Sequence, residues 1–272
     1  MKKLILLLFC LGLFSTANAQ ITIAPTMVFI DQQNRFGSFL VLNGSEQPQE
    51  VSIEFPFGYP VTNDRGSLQM VYDDSAMAQK FGVSDLVRGF PQNFVLQPGQ
   101  RQVIRLTVRP KDFSDGTYWT RIKTTSNAQN PAVGEQTEEG ITARINYKFE
   151  QVTTLFYRHG DTDTGINIKN FAVQDSNTAL HFAADVNRTG NSPFLGSIML
   201  TVKDENDNIV TEKKTSTSIY FDYRQVFTVE EDSLGSGTYE ATITFKTQRP
   251  DIPAKKLIQM DPVSQSISFT NE

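Results

Sequence analysis

Hydrophobic and polar residues alternate in short segments over most of this chain. The pattern is clearest in residues 141–149, where every second side chain is apolar and the intervening ones are polar. The apolar row consists of Ile141, Ala143, Ile145, Tyr147 and Phe149. A period of two is typical of a strand with one buried face. Because similar segments separated by turn residues recur in both halves of the chain, we predict an all-β fold.

One stretch departs from this alternation. Between Asp74 and Val87, Met77 and Phe81 are four residues apart, and Leu86 follows. That spacing places Met77 and Phe81 on one side of a helix, with Leu86 as a further candidate for the same face. We therefore predict a short helix here, within an otherwise β-rich chain.

The tripeptide Gly-Thr-Tyr occurs twice, ending at Tyr118 and at Tyr239, and each copy leads directly into a predicted strand. In immunoglobulin-like sandwiches, a tyrosine near the start of a late strand bonds back to the backbone and forms a tyrosine corner. The alternative is that two ordinary turns share the tripeptide by chance. The spacing predicts two immunoglobulin-like β-sandwich domains in tandem and at an angle, at 20–157 and 166–272, with a polar linker at 158–165.

The first residues have the pattern of a transport signal. Two lysines precede an apolar run at 4–14, and a small-x-small cleavage site ends at Ala19. We predict a signal peptide at 1–19, a periplasmic location and no membrane-spanning segment. The only cysteine, Cys10, lies in this signal, so the exported chain must be stabilised by hydrophobic cores rather than by disulfides. Losing the two lysines changes the formal charge from −5 to −7, and without a basic block this argues against nucleic-acid binding.

Few residues could support catalysis. His159 and His181 are the only histidines, and we interpret both as structural or surface residues. No nucleophile elbow, zinc-binding helix or phosphate-binding loop occurs. The acidic stretch 204–208 lacks the glycine and the final glutamate of a calcium loop, so we interpret it as a hairpin turn. The sequence therefore predicts that the protein is not an enzyme and has no catalytic residue, metal or cofactor.

The extended stretch 141–157 is too long for one domain. Fully extended, it would measure roughly 56 Å, whereas a compact domain of this size is roughly 37 Å across. Its alternation changes phase near Glu150 and Gln151, which predicts a β-bulge. One part could then pack in its own domain while the other presents its apolar row to a partner. The alternative is two ordinary strands with a bend between them.

Several motifs of the first domain resemble the periplasmic pilus chaperones of the PapD-like family. "LFYR" at 155–158 resembles the end of the last strand of their first domain. The segments "ITIAPTMVFID" (21–31), "FVLQPGQRQVIRLTV" (94–108) and "DGTYWTRIK" (115–123) resemble their first strand, their Pro-Gly turn with the strand after it, and the strand before the long one. Together these matches cover most of the first domain. The chain therefore resembles a divergent member of the PapD-like family.

The resemblance implies a function. Members of the family lend the long strand to an incomplete pilus or fimbrial subunit, whose groove the alternating apolar residues fill by donor-strand complementation. It implies that 141–149 is the subunit-binding strand, with the five apolar residues of its row as anchors. The implied partners are fimbrial-type subunits and an outer-membrane usher that receives them for assembly.

One expected feature of the family is missing. Its members commonly hold the subunit's C-terminal carboxylate with two basic residues in the cleft between the domains, and the equivalent positions here are Met27 and Thr154. Arg121, Lys123 and Arg158 are the remaining candidates for a carboxylate anchor or cleft lining. Alternatively, Arg121 and Lys123 lie on a solvated strand face, and Arg158 forms a structural ion pair between the domains.

A second class of function remains open on the sequence alone. Two immunoglobulin-like domains without a basic pair in the cleft would also suit a surface, adhesive or carbohydrate-binding protein. The Pro-Gly turn, the overlong strand and "LFYR" together favour the chaperone.

Overall fold

Strands make up nearly all of the regular structure in the computed structural model, which describes residues 21–109, 111–129, 147–176 and 178–271. The first half contains β1 (Ile21–Ala24), β2 (Met27–Asp31), β3 (Phe36–Asn43), β4 (Gln49–Glu54), β5 (Tyr59–Thr62), β6 (Leu68–Val71), α1 (Ser75–Phe81), β7 (Val87–Phe90), β8 (Asn93–Leu96), β9 (Arg101–Val108), β10 (Gly116–Ala128) and β11 (Lys148–His159). The second half contains β12 (Gly165–Ser176), β13 (Ala179–Thr189), β14 (Phe194–Asp204), β15 (Ile209–Ile219), β16 (Asp222–Glu230), β17 (Gly237–Lys246) and β18 (Val263–Asn271). Short 3₁₀ turns lie at Ser84–Leu86, Glu231–Ser233 and Ala254–Lys256.

The first domain is a sandwich of two sheets. Sheet I has the strand order β1-β3-β9-β7, and sheet II has the order β2-β11-β10-β4-β8. The inward-facing side chains of both sheets form one apolar core, in which Phe39, Ile104 and Leu155 are almost completely buried. Strands β5 and β6 pair separately as a two-stranded ribbon beside this sandwich.

The second domain is also a sandwich. Its sheet III has the order β12-β13-β16, and its sheet IV has the order β15-β14-β17-β18. Phe182, Phe194 and Phe245 lie at the centre of its core, without measurable exposure. The predicted fold of two immunoglobulin-like β-sandwiches is therefore confirmed.

Both tyrosine corners are present. The hydroxyl of Tyr118 donates to the backbone carbonyl of Ser114 at 3.1 Å, and that of Tyr239 donates to the carbonyl of Gly235 at 2.8 Å. Each bond reaches back four residues, and each tyrosine lies near the start of a late strand of its sandwich. The repeated tripeptide thus marks the same structural feature in both domains rather than two unrelated turns.

The predicted helix forms as α1 but ends at Phe81, and the 3₁₀ turn at Ser84–Leu86 occupies the remainder of the predicted stretch. The carboxylate of Asp74 accepts a hydrogen bond from the backbone N–H of Met77 at 3.0 Å and caps the N-terminus. The hydroxyl of Tyr59 donates to the second oxygen of the same carboxylate at 2.6 Å, which ties the helix to β5. Met77 and Phe81 pack against the aromatic side chains between the two domains, so the apolar spacing of four residues reflects real packing.

The predicted bulge near Glu150 and Gln151 is wrong. Strand β11 pairs with β10 in unbroken antiparallel register from Lys148 to His159. The alternation changes because Leu155 faces the core of the first domain while Phe156, on the other face, packs against the second domain. Both faces of the strand are buried there, so both parities are apolar without any shift in register.

The polypeptide passes from one sandwich to the other between His159, where β11 ends, and Gly165, where β12 begins. The predicted domain boundaries and linker remain predictions. The predicted signal peptide and the residues Ile141, Ala143 and Ile145 lie outside the described parts of the chain. The hairpin predicted at 204–208 joins β14 to β15.

Candidate functional site

The N-terminal part of β11 is paired along one edge only. From Thr154 to Arg158, β11 lies between β10 on one side and the parallel strand β2 on the other. From Lys148 to Val152, β10 is its only partner among the described strands. A strand edge in this state presents backbone N–H and C=O groups that can pair with another chain.

Aromatic side chains are exposed at this same end of β11. Tyr147 is 60% exposed and Phe149 is 41% exposed, and their ring centroids are 6.2 Å apart. Since the register is unbroken, Phe149 lies on the same face of sheet II as the buried Leu155 and Tyr157. On this face, Gln151 and Thr153 separate the exposed Phe149 from the buried Leu155, so Phe149 lies beyond the part of β11 that the sandwich covers completely.

On its other face, sheet II brings together the residues at the expected cleft. Thr154 on β11 lies directly opposite Met27 on β2 and directly opposite Arg121 on β10. The two positions that are basic in the chaperone family are therefore neighbours here, and Arg121 extends the same row. Trp119, Arg121 and Lys123 are alternate residues of β10, so all three lie on this face.

Arg121 is a buried cation. Only 7% of the residue is exposed, and its guanidinium donates to the carbonyl of Gly58 at 2.8 Å and to the hydroxyl of Thr154. Its Cζ lies 5.0 Å from the ring centroid of Tyr220, which belongs to the second domain. No carboxylate pairs with it within the described ranges, and its Nη2 has no hydrogen-bond partner. Burying a charge without a counter-ion is costly, so Arg121 would be stabilised by an incoming carboxylate.

Lys123, in contrast, already has acidic partners. Its ammonium lies 3.2 Å from Glu150 and 3.7 Å from Glu54. The hydrogen bond and charge of Glu150, together with Glu54, raise the pKa of Lys123. Lys148 and Lys123 in turn lower the pKa of Glu150. This small network neutralises Lys123, so it is less available than Arg121 for an incoming carboxylate.

Arg158 makes a contact between the domains. Its Nη2 donates to the backbone carbonyl of Lys256 at 2.6 Å, and its Cζ lies 5.0 Å from the ring of Phe29. Burial lowers the pKa of this guanidinium. Of the two interpretations offered by the sequence, the bridge to the second domain is present, but it is a hydrogen bond to the backbone rather than an ion pair.

Aromatic residues fill the space between the domains. Trp119, 1% exposed, stacks near Phe81 at 5.1 Å and meets the ring of Tyr220 edge-on at 4.8 Å. We call the buried set the interface cluster; its members are Phe57, Tyr59, Trp119 and Phe156 from the first domain and Leu195, Tyr220, Ile252 and Leu257 from the second. Burial raises the pKa of Tyr220, and the nearby side chains of Arg121 and Thr154 oppose this rise.

Sequence reasoning missed the contributions of Gly58 and Tyr220 to this site. Gly58 acts through its carbonyl, which carries no residue-type signal, and Tyr220 comes from a strand end 99 positions beyond Arg121. Neither could be found from spacing or composition, because both are brought to Arg121 by the packing of the two sandwiches.

Comparisons with known proteins give matches among solved structures only. No protein-family model matches the sequence, and no curated protein matches it. The YadV chaperone is 10% identical and matches with a TM-score of 0.47 over 92% of this chain and 100% of its own. The class 5 fimbriae chaperone CfaA is 15% identical, with a TM-score of 0.45 over 93% and 99%. The SafB chaperone of Salmonella enterica, solved with the SafA pilin, is 13% identical, with a TM-score of 0.43 over 93% and 99%.

All three solved structures are of chaperones, and each is 15% identical to this chain or less. Within the described ranges, no helix is long and apolar enough to cross a membrane. The same residues contain no group of three or more acidic, histidine or cysteine side chains arranged to hold a metal ion. The carboxylate of Asp204 is instead occupied by the turn of its own hairpin, where it accepts from the backbone of Asn206 and Asn208.

Proposed function

We propose that this protein is a periplasmic chaperone that binds incomplete fimbrial-type subunits by donor-strand complementation. The observation that carries the proposal is the edge of β11 between Lys148 and Val152, which no other described strand pairs with, and the exposed Tyr147 and Phe149 beside it. A subunit that lacks one strand offers both the backbone groups and the apolar groove that such an edge requires. The residues 141–149 form the binding strand in this proposal, and 158–165 is the linker between the two domains.

The apolar row supplies most of the affinity. Fully burying side chains of this size contributes about 1.5–3 kcal/mol each. Backbone hydrogen bonds along an added strand contribute about 0.5–1.5 kcal/mol apiece. The same alternation sets the register, because a slip of one residue would turn every anchor to the opposite face.

Arg121 is the residue we propose as the carboxylate anchor. It lies in the same row as Thr154 and Met27 and has an Nη2 without a partner, whereas Lys123 is paired with two glutamates. Its burial beneath Tyr220 means that a client carboxylate would reach it only when that ring turns aside. Because the guanidinium has no carboxylate partner among the described residues, a bidentate carboxylate would replace a weaker contact with an aromatic ring.

Delivery follows from the same arrangement. A subunit held by strand addition is protected while it travels through the periplasm and is released when another strand replaces the borrowed one. We propose an outer-membrane usher as the partner that receives it. A gene for an usher-like barrel beside subunit genes and this one would support that part of the proposal.

The test is the substitution Ile145→Asp, in the apolar row of the lent strand. Subunits encoded by neighbouring genes are co-expressed with the wild type or the variant, and their co-purification from the periplasm is measured beside a thermal melt. We expect the variant to lose its client and to keep its melting temperature, because a lent side chain is exposed in the free protein. A large fall in melting temperature would place Ile145 in the protein's own core, since a buried unpaired carboxylate costs several kcal/mol. Undiminished capture by a stable variant would also refute the proposal.

A further inference from the structure

The outward face of sheet I carries an unusual set of side chains. It is formed by alternate residues of four neighbouring strands, whose other residues fill the core. We call it the arginine–apolar face; its members are Thr22, Ala24, Phe36, Ser38, Leu40, Leu42, Arg88, Phe90, Arg101, Val103, Arg105 and Thr107. It lies on the opposite side of the sandwich from sheet II and therefore from β11.

Large apolar side chains on this face are open to solvent. Phe36 is 68% exposed, Phe90 is 77% exposed and Val103 is 50% exposed. Leu40, directly opposite Val103, is half-buried and joins them into one surface. A contiguous exposed apolar surface bordered by polar groups marks an interaction site more often than single scattered residues do.

The charges on this face all have one sign. Arg88, Arg101 and Arg105 are exposed, and the twelve positions include no aspartate or glutamate. None of the ion pairs within the described ranges involves these three arginines. The whole chain carries a net charge of −5, so the positive charge of this face is opposite in sign to the net charge of the protein.

The arginines alternate with the apolar side chains rather than surrounding them. Arg105 lies directly beside Phe90 in the β7–β9 ladder, and Arg88 lies beside Thr107, which is itself opposite Phe36. Arginine and aromatic residues are the types enriched at protein interfaces. The guanidinium binds carboxylates through paired, parallel hydrogen bonds. That of Arg88 also donates through Nη1 to the backbone carbonyls of Asp85 and Val87.

We propose that the arginine–apolar face is the docking surface for an acidic protein partner that presents carboxylates among apolar side chains. All three cations are arginines on a rigid sheet, which favours a protein over an anionic lipid surface, where lysine would serve equally well. The face measures roughly 20 Å by 20 Å, or about 400 Å², from the usual strand spacing and rise. That is about half of the area that each partner buries in a stable interface, so the complex is transient. The surface is separate from β11, and the proposal does not depend on the proposed client binding.

Site-specific photo-crosslinking tests the proposal in the organism's own cells. A benzoylphenylalanine replaces Val103 in the full-length protein, and the same residue replaces Ile209, an equally open apolar position on the second domain, as the control. Adducts are identified by mass spectrometry in three backgrounds. The first is the wild type, the second combines Arg101→Glu with Arg105→Glu as the test, and the third combines Lys213→Glu with Lys214→Glu as the matched control. Thermal melts check that every variant is folded.

We expect a discrete adduct with an acidic protein at position 103 and not at 209. Its yield should fall roughly tenfold or more with the arginine reversal and stay unchanged with the lysine reversal, because only the former places like charges together. Rebinding of the identified partner should weaken as sodium chloride rises from about 0.05 to about 0.5 M. No adduct, or an adduct indifferent to the arginine reversal, would overturn the proposal. So would an adduct only with a second copy of this chain, or arginine-dependent co-sedimentation with phosphatidylglycerol vesicles in place of a protein adduct.

Discussion

Two positions on β11 distinguish the surface that we propose binds the subunit from the core of the first domain. Phe149 and Leu155 lie on the same face of β11, six residues apart, yet Phe149 is 41% exposed and Leu155 has no measurable exposure. Replacing each by aspartate therefore makes the same chemical change in two environments. We expect Phe149→Asp to stay folded with a moderate loss of stability, because more than half of Phe149 is already covered, and to lose its client. We expect Leu155→Asp to unfold.

The magnitudes follow from the exposures. A phenylalanine buries about 200 Å², so roughly 80 Å² of Phe149 is left for a partner to cover, worth about 2 kcal/mol at about 25 cal/mol per Å². Placing an unpaired carboxylate in an apolar groove costs about 3 kcal/mol more. The sum of about 5 kcal/mol lowers the client affinity by about three orders of magnitude or more. The same carboxylate at Leu155 removes a large part of a total stability of about 5–15 kcal/mol.

The assay combines urea unfolding of each purified variant with co-purification of the client from the periplasm. Phe149→Leu is the conservative control, and we expect it to retain most of the capture. A Phe149→Asp variant that unfolds at much lower urea than the wild type would show that Phe149 belongs to the domain core. A stable variant that still captures the subunit at wild-type yield would refute the assignment of this strand.

Three further predictions concern the domains and the cleft. Tyr239→Phe removes the hydroxyl that donates to Gly235, and we expect urea unfolding of the second sandwich to show a loss of about 1 kcal/mol, with the exposed Tyr72→Phe as a control without effect. Arg121→Met replaces a buried cation that has no counter-ion, so the unfolding midpoint should stay constant or rise, while the protein should no longer prefer a client peptide with a free C-terminal carboxylate over its amidated form. Burial and the hydrogen bond to Asp74 raise the pKa of Tyr59 from 10.0 to about 12. As the pH rises, the unfolded chain loses the Tyr59 hydroxyl proton before the folded protein does. The contribution of Tyr59 to the free energy of unfolding is therefore fully present below pH 10.0 and falls as the pH rises towards 12. Alkaline unfolding followed by circular dichroism should show a smaller loss of stability for Tyr59→Phe than for the wild type.

Local features of this chain were predictable because neighbouring residues determine them. The helix at Ser75–Phe81 depends on Asp74 and on the apolar spacing that follows it, all within one short segment. The tyrosine corners at Tyr118 and Tyr239 are bonds to carbonyls four residues earlier. Alternation with a period of two identifies strands without knowledge of their partners, and two domain-sized sets of such strands indicate two sandwiches.

Only the tertiary structure decided how these strands are used. The phase change near Glu150 and Gln151 suggested a bulge, but the register of β11 is unbroken. Both Leu155 and Phe156 are apolar because the first faces the core of the first domain and the second faces the other domain. Arg121 looked like a residue on a solvated strand, yet Tyr220 and Gly58, distant in sequence, bury it. The arginine–apolar face is spread over four strands that are not consecutive in the chain. Each of these features depends on side chains that sheet pairing and domain packing bring together. The pattern of residues along the chain does not specify such contacts, because the partners are distant in sequence.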